Sequence, residues 1–148
     1  MDRIEREITV KAPVERVWTV LTEPEHIARW FGDSASGTAE PGGELVLGWK
    51  EHGDFPVTIE RYEPPTAFAF RWVTGGHEPG VRPAPGNSTL VEFTLAAQGD
   101  ATLLTVVESG FESLDMPAEQ QLKNAEDNTD GWRQELDELR VYAESTAG

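Results

Sequence analysis

Apolar residues recur at spacings of three and four through the last long segment of the chain, Pro117 to Ser145. On a helix, Leu122, Ala125, Thr129, Trp132, Leu136, Leu139 and Ala143 form one stripe, with Trp132 its largest member. The carboxylates and amides between them are expected to face water. Asp115 or the Met116-Pro117 step offers a start, because proline is tolerated in a first helical turn. Gly131 interrupts the pattern. A glycine inside a helix costs about 1 kcal/mol relative to alanine, so its expected use is clearance for another backbone or a bulky ring.

Upstream the period changes. Arg3 to Lys11 alternates, with Ile4, Arg6, Ile8 and Val10 against Glu5, Glu7, Thr9 and Lys11, which predicts a strand. After Ala12-Pro13, the residues Val14, Val17, Trp18 and Leu21 mark a short amphipathic helix that Thr22-Glu23-Pro24 breaks. A second short helix carries Ile27, Trp30 and Phe31 and stops at Gly32. From Ser34 to Phe111 turn chemistry divides the chain into strands at roughly 34–39, 44–50, 55–62, 66–74, 88–97 and 101–109. Their short connections imply antiparallel neighbours, because a parallel crossover needs about a dozen residues or more. The fourth of these strands puts Phe68, Phe70 and Trp72 on one face and Ala67, Ala69, Arg71 and Val73 on the other. The Gly/Pro-rich stretch 75–87 lacks periodicity and exceeds the usual hairpin loop of about two to five residues, which suits a lid or a surface excursion.

The order of one strand, two short helices, six strands and a long helix predicts an α+β fold. A long antiparallel sheet twists and curls, and the final helix supplies something apolar for its concavity. The pieces Ala12-Pro13-Val14-Glu15-Arg16-Val17-Trp18, Pro24 through Trp30-Phe31, Glu63-Pro64-Pro65 followed by Phe70-Arg71-Trp72, Ser109-Gly110-Phe111, and Gly131-Trp132 with Leu136 and Leu139 come in a telling order. Together they make the chain resemble the helix-grip, START-like (SRPBCC) superfamily. Within it the resemblance is to the activator of heat-shock-protein-90 ATPase homologue-like branch, often grouped with polyketide cyclases and ligand-binding proteins. The resemblance covers nearly the whole chain. It implies a curved antiparallel sheet of six or seven strands gripping the C-terminal helix, with a cavity between them whose contents differ between members. Fold-level likeness of this kind does not fix an activity. Where relatives commonly carry a histidine before Ser-Gly-Phe, this sequence departs with Glu108.

Composition narrows the partners. Twelve basic against 27 acidic residues give a formal charge of −15, which repels phosphate backbones and anionic bilayers and argues against nucleic-acid or membrane-surface roles. The absence of cysteine removes disulfides, thiolate metal sites and a cysteine nucleophile, and agrees with a reducing compartment. No apolar run approaches the roughly 20 residues of a membrane span, and the first residues carry no signal-peptide pattern. A single cytoplasmic domain is expected for these 148 residues, with no internal repeat and no linker.

Candidate chemistry centres on Glu108. Alternation puts Leu104, Val106 and Glu108 on one face of their strand and Leu103, Thr105 and Val107 on the other. If the first row faces the final helix, as the family pattern suggests, Glu108 lies in or beside the cavity, where a carboxylate must be paired or hydrogen-bonded. Arg71 or Arg61 is the expected counter-charge; the alternative is a strand-end glutamate reaching solvent. The cavity candidates are Trp30, Phe31, Trp49, Phe70, Arg71, Trp72, Glu108, Trp132 and Leu136, with the Trp30-Phe31 helix end and the 75–87 loop as gates. Aromatics of this kind also serve simply as core. His26, His52 and His77 lie in separate segments without metal-ligand spacing, and no cofactor is implied. Ser34, Ser36, Ser88 and Ser109 sit in no nucleophile-elbow sequence, so no catalytic residue is assigned. The acid-rich final helix reads as a solvated face, or as a docking surface for a basic patch. The expectation is a protein that encloses a hydrophobic or amphipathic small molecule. A co-chaperone-like module acting on a heat-shock ATPase is the alternative, and a cyclase- or hydrolase-like enzyme using Glu108 with an arginine or Tyr62 comes last.

Overall fold

The computed structural model describes residues 2–75 and 78–145. Strand β1 (Arg3–Val10) runs into Pro13, whose extended backbone begins helix α1 (Val14–Thr22). Pro24 opens the four-residue helix α2 (Pro24–Ile27). This second helix is shorter than the apolar pattern suggests: Trp30 and Phe31 follow it in a turn, their backbone N–H groups both donating to the Ile27 carbonyl. Then come β2 (Ser34–Gly37), β3 (Glu44–Trp49), β4 (Gly53–Glu63), β5 (Ala67–Val73), β6 (Ser88–Gln98) and β7 (Ala101–Ser109). A single 3-10 turn at Phe111–Ser113 leads to the long helix α3 (Ala118–Ser145).

The seven strands form one antiparallel sheet in the order β1-β7-β6-β5-β4-β3-β2. The sheet curves around α3 in the helix-grip arrangement. Strand β2 is short and polar at the free edge, a form that limits pairing with other chains. At the other side the first strand pairs with the last, so Glu108 on β7 lies opposite Ile4 on β1 and Val91 on β6. Period-2 alternation holds through β7: Thr102, Leu104, Val106 and Glu108 are buried, and the intervening residues are half-buried. Arginine 71 stands on the reverse face of β5 from Trp72, since successive strand residues point to opposite faces.

Along α3 the buried residues are Ala125, Trp132, Leu136, Leu139 and Ala143, a subset of the stripe that the spacing predicts. Leu122 is instead 44% exposed. At about 100° per residue it stands roughly 70° from the mean direction of the five buried positions, so it leaves the sheet as the helix turns. Full burial of a side chain of leucine or phenylalanine size contributes about 1.5–3 kcal/mol, so Trp132, Leu136 and Leu139 dominate the docking of the helix.

Gly131 does not provide clearance. A Cβ built there would meet nothing within 4 Å, so no ring or backbone uses the space. The described part of the 75–87 loop is tied down: Gly80 N–H donates to the Asp54 carbonyl at 2.8 Å, Arg82 pairs with Glu44, and the Asn87 side chain bonds back to Ala84 and Arg82. Glu135, on the flank of α3, has a buried Oε2 with no hydrogen-bond partner among the described residues. Burial, followed by the like charge of Glu138, pushes its carboxyl up from 4.5 to about 7.

Two outcomes are expected. Gly131→Ala should raise the free energy of unfolding by about 1 kcal/mol in a urea titration, and a loss of stability would restore the clearance role. Because Glu135 holds its proton more tightly when folded than unfolded, its contribution to stability is greatest below pH 4.5 and declines as pH rises through about 7. Glu135→Gln removes that decline and should exceed the parent by about 1 kcal/mol at alkaline pH, after allowance for solvent screening at a half-exposed site. A difference between the two that is flat with pH would contradict this.

Candidate functional site

A cavity of about 480 Å³ opens between the β3–β5 part of the sheet and the first turns of α3. Its apolar wall is Leu47, Trp49, Phe55, Val57, Trp72 and Val73, and its polar side is His52, Thr74, Asn124, Asp127 and Asn128, with Gly75 at the edge. Strand alternation brings Leu47, Trp49, Phe55, Val57 and Trp72 to one face, Val73 joins them at the end of β5, and the helical spacing of Asn124 and Asn128 brings two amides to one side of α3.

Glu108 is fully buried behind this wall. Its Oε2 accepts from Trp72 Nε1 at 2.8 Å, Thr89 Oγ1 at 2.5 Å and Asn128 Nδ2 at 3.1 Å. Its Oε1 accepts from Trp132 Nε1 at 2.8 Å and Asn128 Nδ2 at 3.1 Å. Trp72 is on β5, Thr89 on β6, Glu108 on β7, and Asn128 and Trp132 on α3, so one carboxyl group gathers donors from three other elements. Indole N–H groups and amide NH2 groups can only donate, which suits an acceptor-only carboxylate. No cation among the described residues takes part. The expected counter-charges are elsewhere: Arg71 Nε lies 3.4 Å from Glu60 Oε1, and Arg61 pairs with Glu63, all on exposed side chains. Neutral donors replace the arginine because Arg71 belongs to the opposite face of β5.

The sequence candidates therefore separate into groups. Trp49 and Trp72 line the cavity. Glu108 lies beside it, connected through Trp72 and Asn128. Trp30, Phe31, Phe70, Trp132 and Leu136 are buried core. The void that Trp30, Phe31 and Phe70 border measures only about 10 Å³, little more than a single water probe. Trp30 Nε1 donates to the Val20 carbonyl at 2.9 Å, which fixes the residue rather than leaving it as a gate. Phe31 backs the cavity wall: its ring centroid is 5.6 Å from Trp49, 5.4 Å from Trp72 and 5.7 Å from Trp132. Among the histidines, His26 Nδ1 lies 2.7 Å from Tyr142 Oη, His52 is on the cavity wall, and His77 lies outside the described residues.

Leu47, Phe55, Val57, Thr74, Asn124, Asp127 and Asn128 were not among the sequence candidates. The signal for the amides is Asn124-x-x-x-Asn128 on the flank of the apolar stripe. Such a pair reads as solvated until the sheet is seen to leave that flank uncovered by core. Thr89 could not be assigned because its partner lies 19 residues away.

The family model for "Activator of Hsp90 ATPase homolog 1-like protein" matches residues 11–144. The chain belongs to that family. No curated protein matches it. Among solved structures, DynU16, a protein of the dynemicin biosynthetic locus, shares 26% identity at a TM-score of 0.76 over 99% of this chain and 49% of its own, so the present chain spans about half of that protein. CalU16 from Micromonospora echinospora shares 27% identity at a TM-score of 0.70, over 95% of this chain and 75% of its own. The Aha1 dimer from Colwellia psychrerythraea shares 18% identity at 0.75 over 100% of both chains, a likeness of fold.

For this member of the Hsp90 ATPase activator-like family, Glu108→Gln should destabilise by about 3 kcal/mol, because the new amide turns an NH2 toward donors that then lack an acceptor. Chemical denaturation measures it, and a change within about 0.5 kcal/mol, the usual range for inert substitutions, would mean the node is not structural.

Proposed function

We propose that the protein is a cytoplasmic small-molecule-binding protein that holds an apolar or amphipathic ligand in the cavity beside Glu108. The observation that carries this reading is the cavity itself. Its volume of about 480 Å³ falls in the range of small-molecule sites, about 300–1,000 Å³, and its wall is aromatic and aliphatic with polar groups confined to one side. Trp49, Phe55 and Trp72 offer aromatic surface to an apolar body, while Thr74, Asn124, Asn128 and Asp127 offer hydrogen-bonding groups to a polar end. Family membership supports the same reading, since the similar DynU16 comes from a biosynthetic locus.

An enzymatic role has less support. Both oxygens of Glu108 are occupied by donors, so no lone pair is directed at a substrate, and Tyr62 is not among the cavity residues. The co-chaperone reading rests on the family description, and retrieval of an Hsp90-type chaperone in a pull-down would favour it.

Native mass spectrometry of protein purified from its host should show an added small-molecule mass that disappears on denaturation. Trp49→Ala should weaken binding of that molecule about tenfold, the effect of losing roughly 1.4 kcal/mol of aromatic contact. A protein that retains nothing and whose tryptophan fluorescence responds to no apolar probe would refute the reading.

A further inference from the structure

The polar side of the cavity includes acceptors that no protein donor among the described residues meets, and Glu108 is the reason for one of them. This carboxylate takes up the indole N–H of Trp72, the hydroxyl of Thr89 and the amide NH2 of Asn128. With its NH2 committed, Asn128 is left with its Oδ1, which no donor among the described residues engages, on a side chain that lines the cavity. Asn124 repeats the arrangement one turn earlier. Its Nδ2 lies 3.0 Å from Met116 Sδ, and its Oδ1 is likewise left without a protein donor among the described residues. Asn128 is thus turned acceptor-outward, while Asn124 keeps an acceptor Oδ1 beside an NH2 that faces Met116 and Gly75.

Charge points the same way. Among the described residues no lysine or arginine lines the cavity, and its titratable groups are Asp127 and His52. The ion pair of Asp127 with Lys123, one helical turn away, is long at 3.7 Å and both side chains are exposed, so it only weakly offsets the aspartate. Fifteen excess negative charges on the chain add a field that draws cations toward any opening. The aromatic wall completes the pattern. Trp72, held by its N–H on the carboxylate, and Trp49 and Phe55 on the same wall supply aromatic surface for the apolar body of a ligand.

We propose that the molecule selected by this cavity is an arylalkyl ammonium: a flat apolar body lying against Trp49 and Trp72, carrying a protonated amine toward Asn124, Asn128 and Asp127. This rests on the cavity reading above and specifies its ligand class. Three donors of an ammonium match the acceptors on offer, and a carboxylate in the same place would face the Asn128 Oδ1 acceptor and the like charge of Asp127. A neutral alcohol can donate once and gains nothing from the field.

Calorimetry with naphthylmethylamine, naphthylmethanol and naphthoate on the intact protein at neutral pH tests it, since the three share a ring system and differ in the head group. The amine should bind about tenfold tighter than the alcohol, equivalent to roughly 1.4 kcal/mol, and naphthoate weakest. Asp127→Asn, an exposed and structurally mild change, should weaken the amine about threefold more than it weakens the alcohol, and added salt should narrow the amine's advantage in the same direction. Asn128→Leu should abolish the preference where the variant folds. Trp49→Ala should weaken all three, which separates cavity binding from adsorption to the acidic surface. Equal or tighter binding of the alcohol or the carboxylate would overturn the ammonium preference and leave the cavity reading standing. Binding of none of the three would overturn both.

Discussion

A buried carboxylate met by neutral donors constrains this fold more than any other group. Moving an isolated charge out of water is costly, and here the cost is offset by four neutral donor groups whose own N–H and O–H bonds would otherwise be buried unmet. The exchange works only with all parties in place. Because the donors come from β5, β6 and α3, the carboxylate of Glu108 holds the helix in one rotation and one axial position against the sheet. Apolar packing of Leu136 and Leu139 gives the helix its affinity for the concave face; the node gives it register.

That register decides where the interior is filled and where it is open. Toward the C-terminal half of α3, Leu136, Leu139 and Ala143 meet the sheet directly, and the space beneath Trp30, Phe31 and Phe70 is closed. Toward the N-terminal half the apolar stripe gives way to Asn124 and Asn128, and Leu122 has rotated out to solvent, so nothing large enough fills the distance to β3 and β4. Phe31 forms the boundary, touching Trp49 and Trp72 on the open side and Trp30 and Trp132 on the closed side. The cavity is therefore a consequence of where the apolar stripe ends.

Legibility in the sequence followed the range of the interaction involved. Strand β1 and the inward row of β7 were readable because period-2 alternation is a property of neighbours along the chain, and residues 4, 104, 106 and 108 are buried as that alternation requires. The helix was readable from its stripe, except at Leu122, where drift of the straight helix overrides a locally correct spacing. Gly131 misled, since a glycine in a helix resembles a close approach whether or not a neighbour comes near. Of the candidate site, Trp49, Trp72 and the inward direction of Glu108 were accessible. The partners of Glu108 were not, because its donors lie 19 to 36 positions along the sequence and an arginine is the more usual companion of a buried acid.

By itself the sequence determined the order of elements, the face each strand buries and the identity of the helix that the sheet grips, all of which follow from local periodicity and turn chemistry. Only the tertiary structure decided that Glu108 is satisfied by indole, amide and hydroxyl donors, that Arg71 belongs to the outer surface with Glu60, and that Trp30 and Phe31 are fixed core. Those outcomes depend on the curl of the sheet and the rotation of α3. Both are set by contacts between residues far apart in the chain, and the pattern along it does not encode their distances.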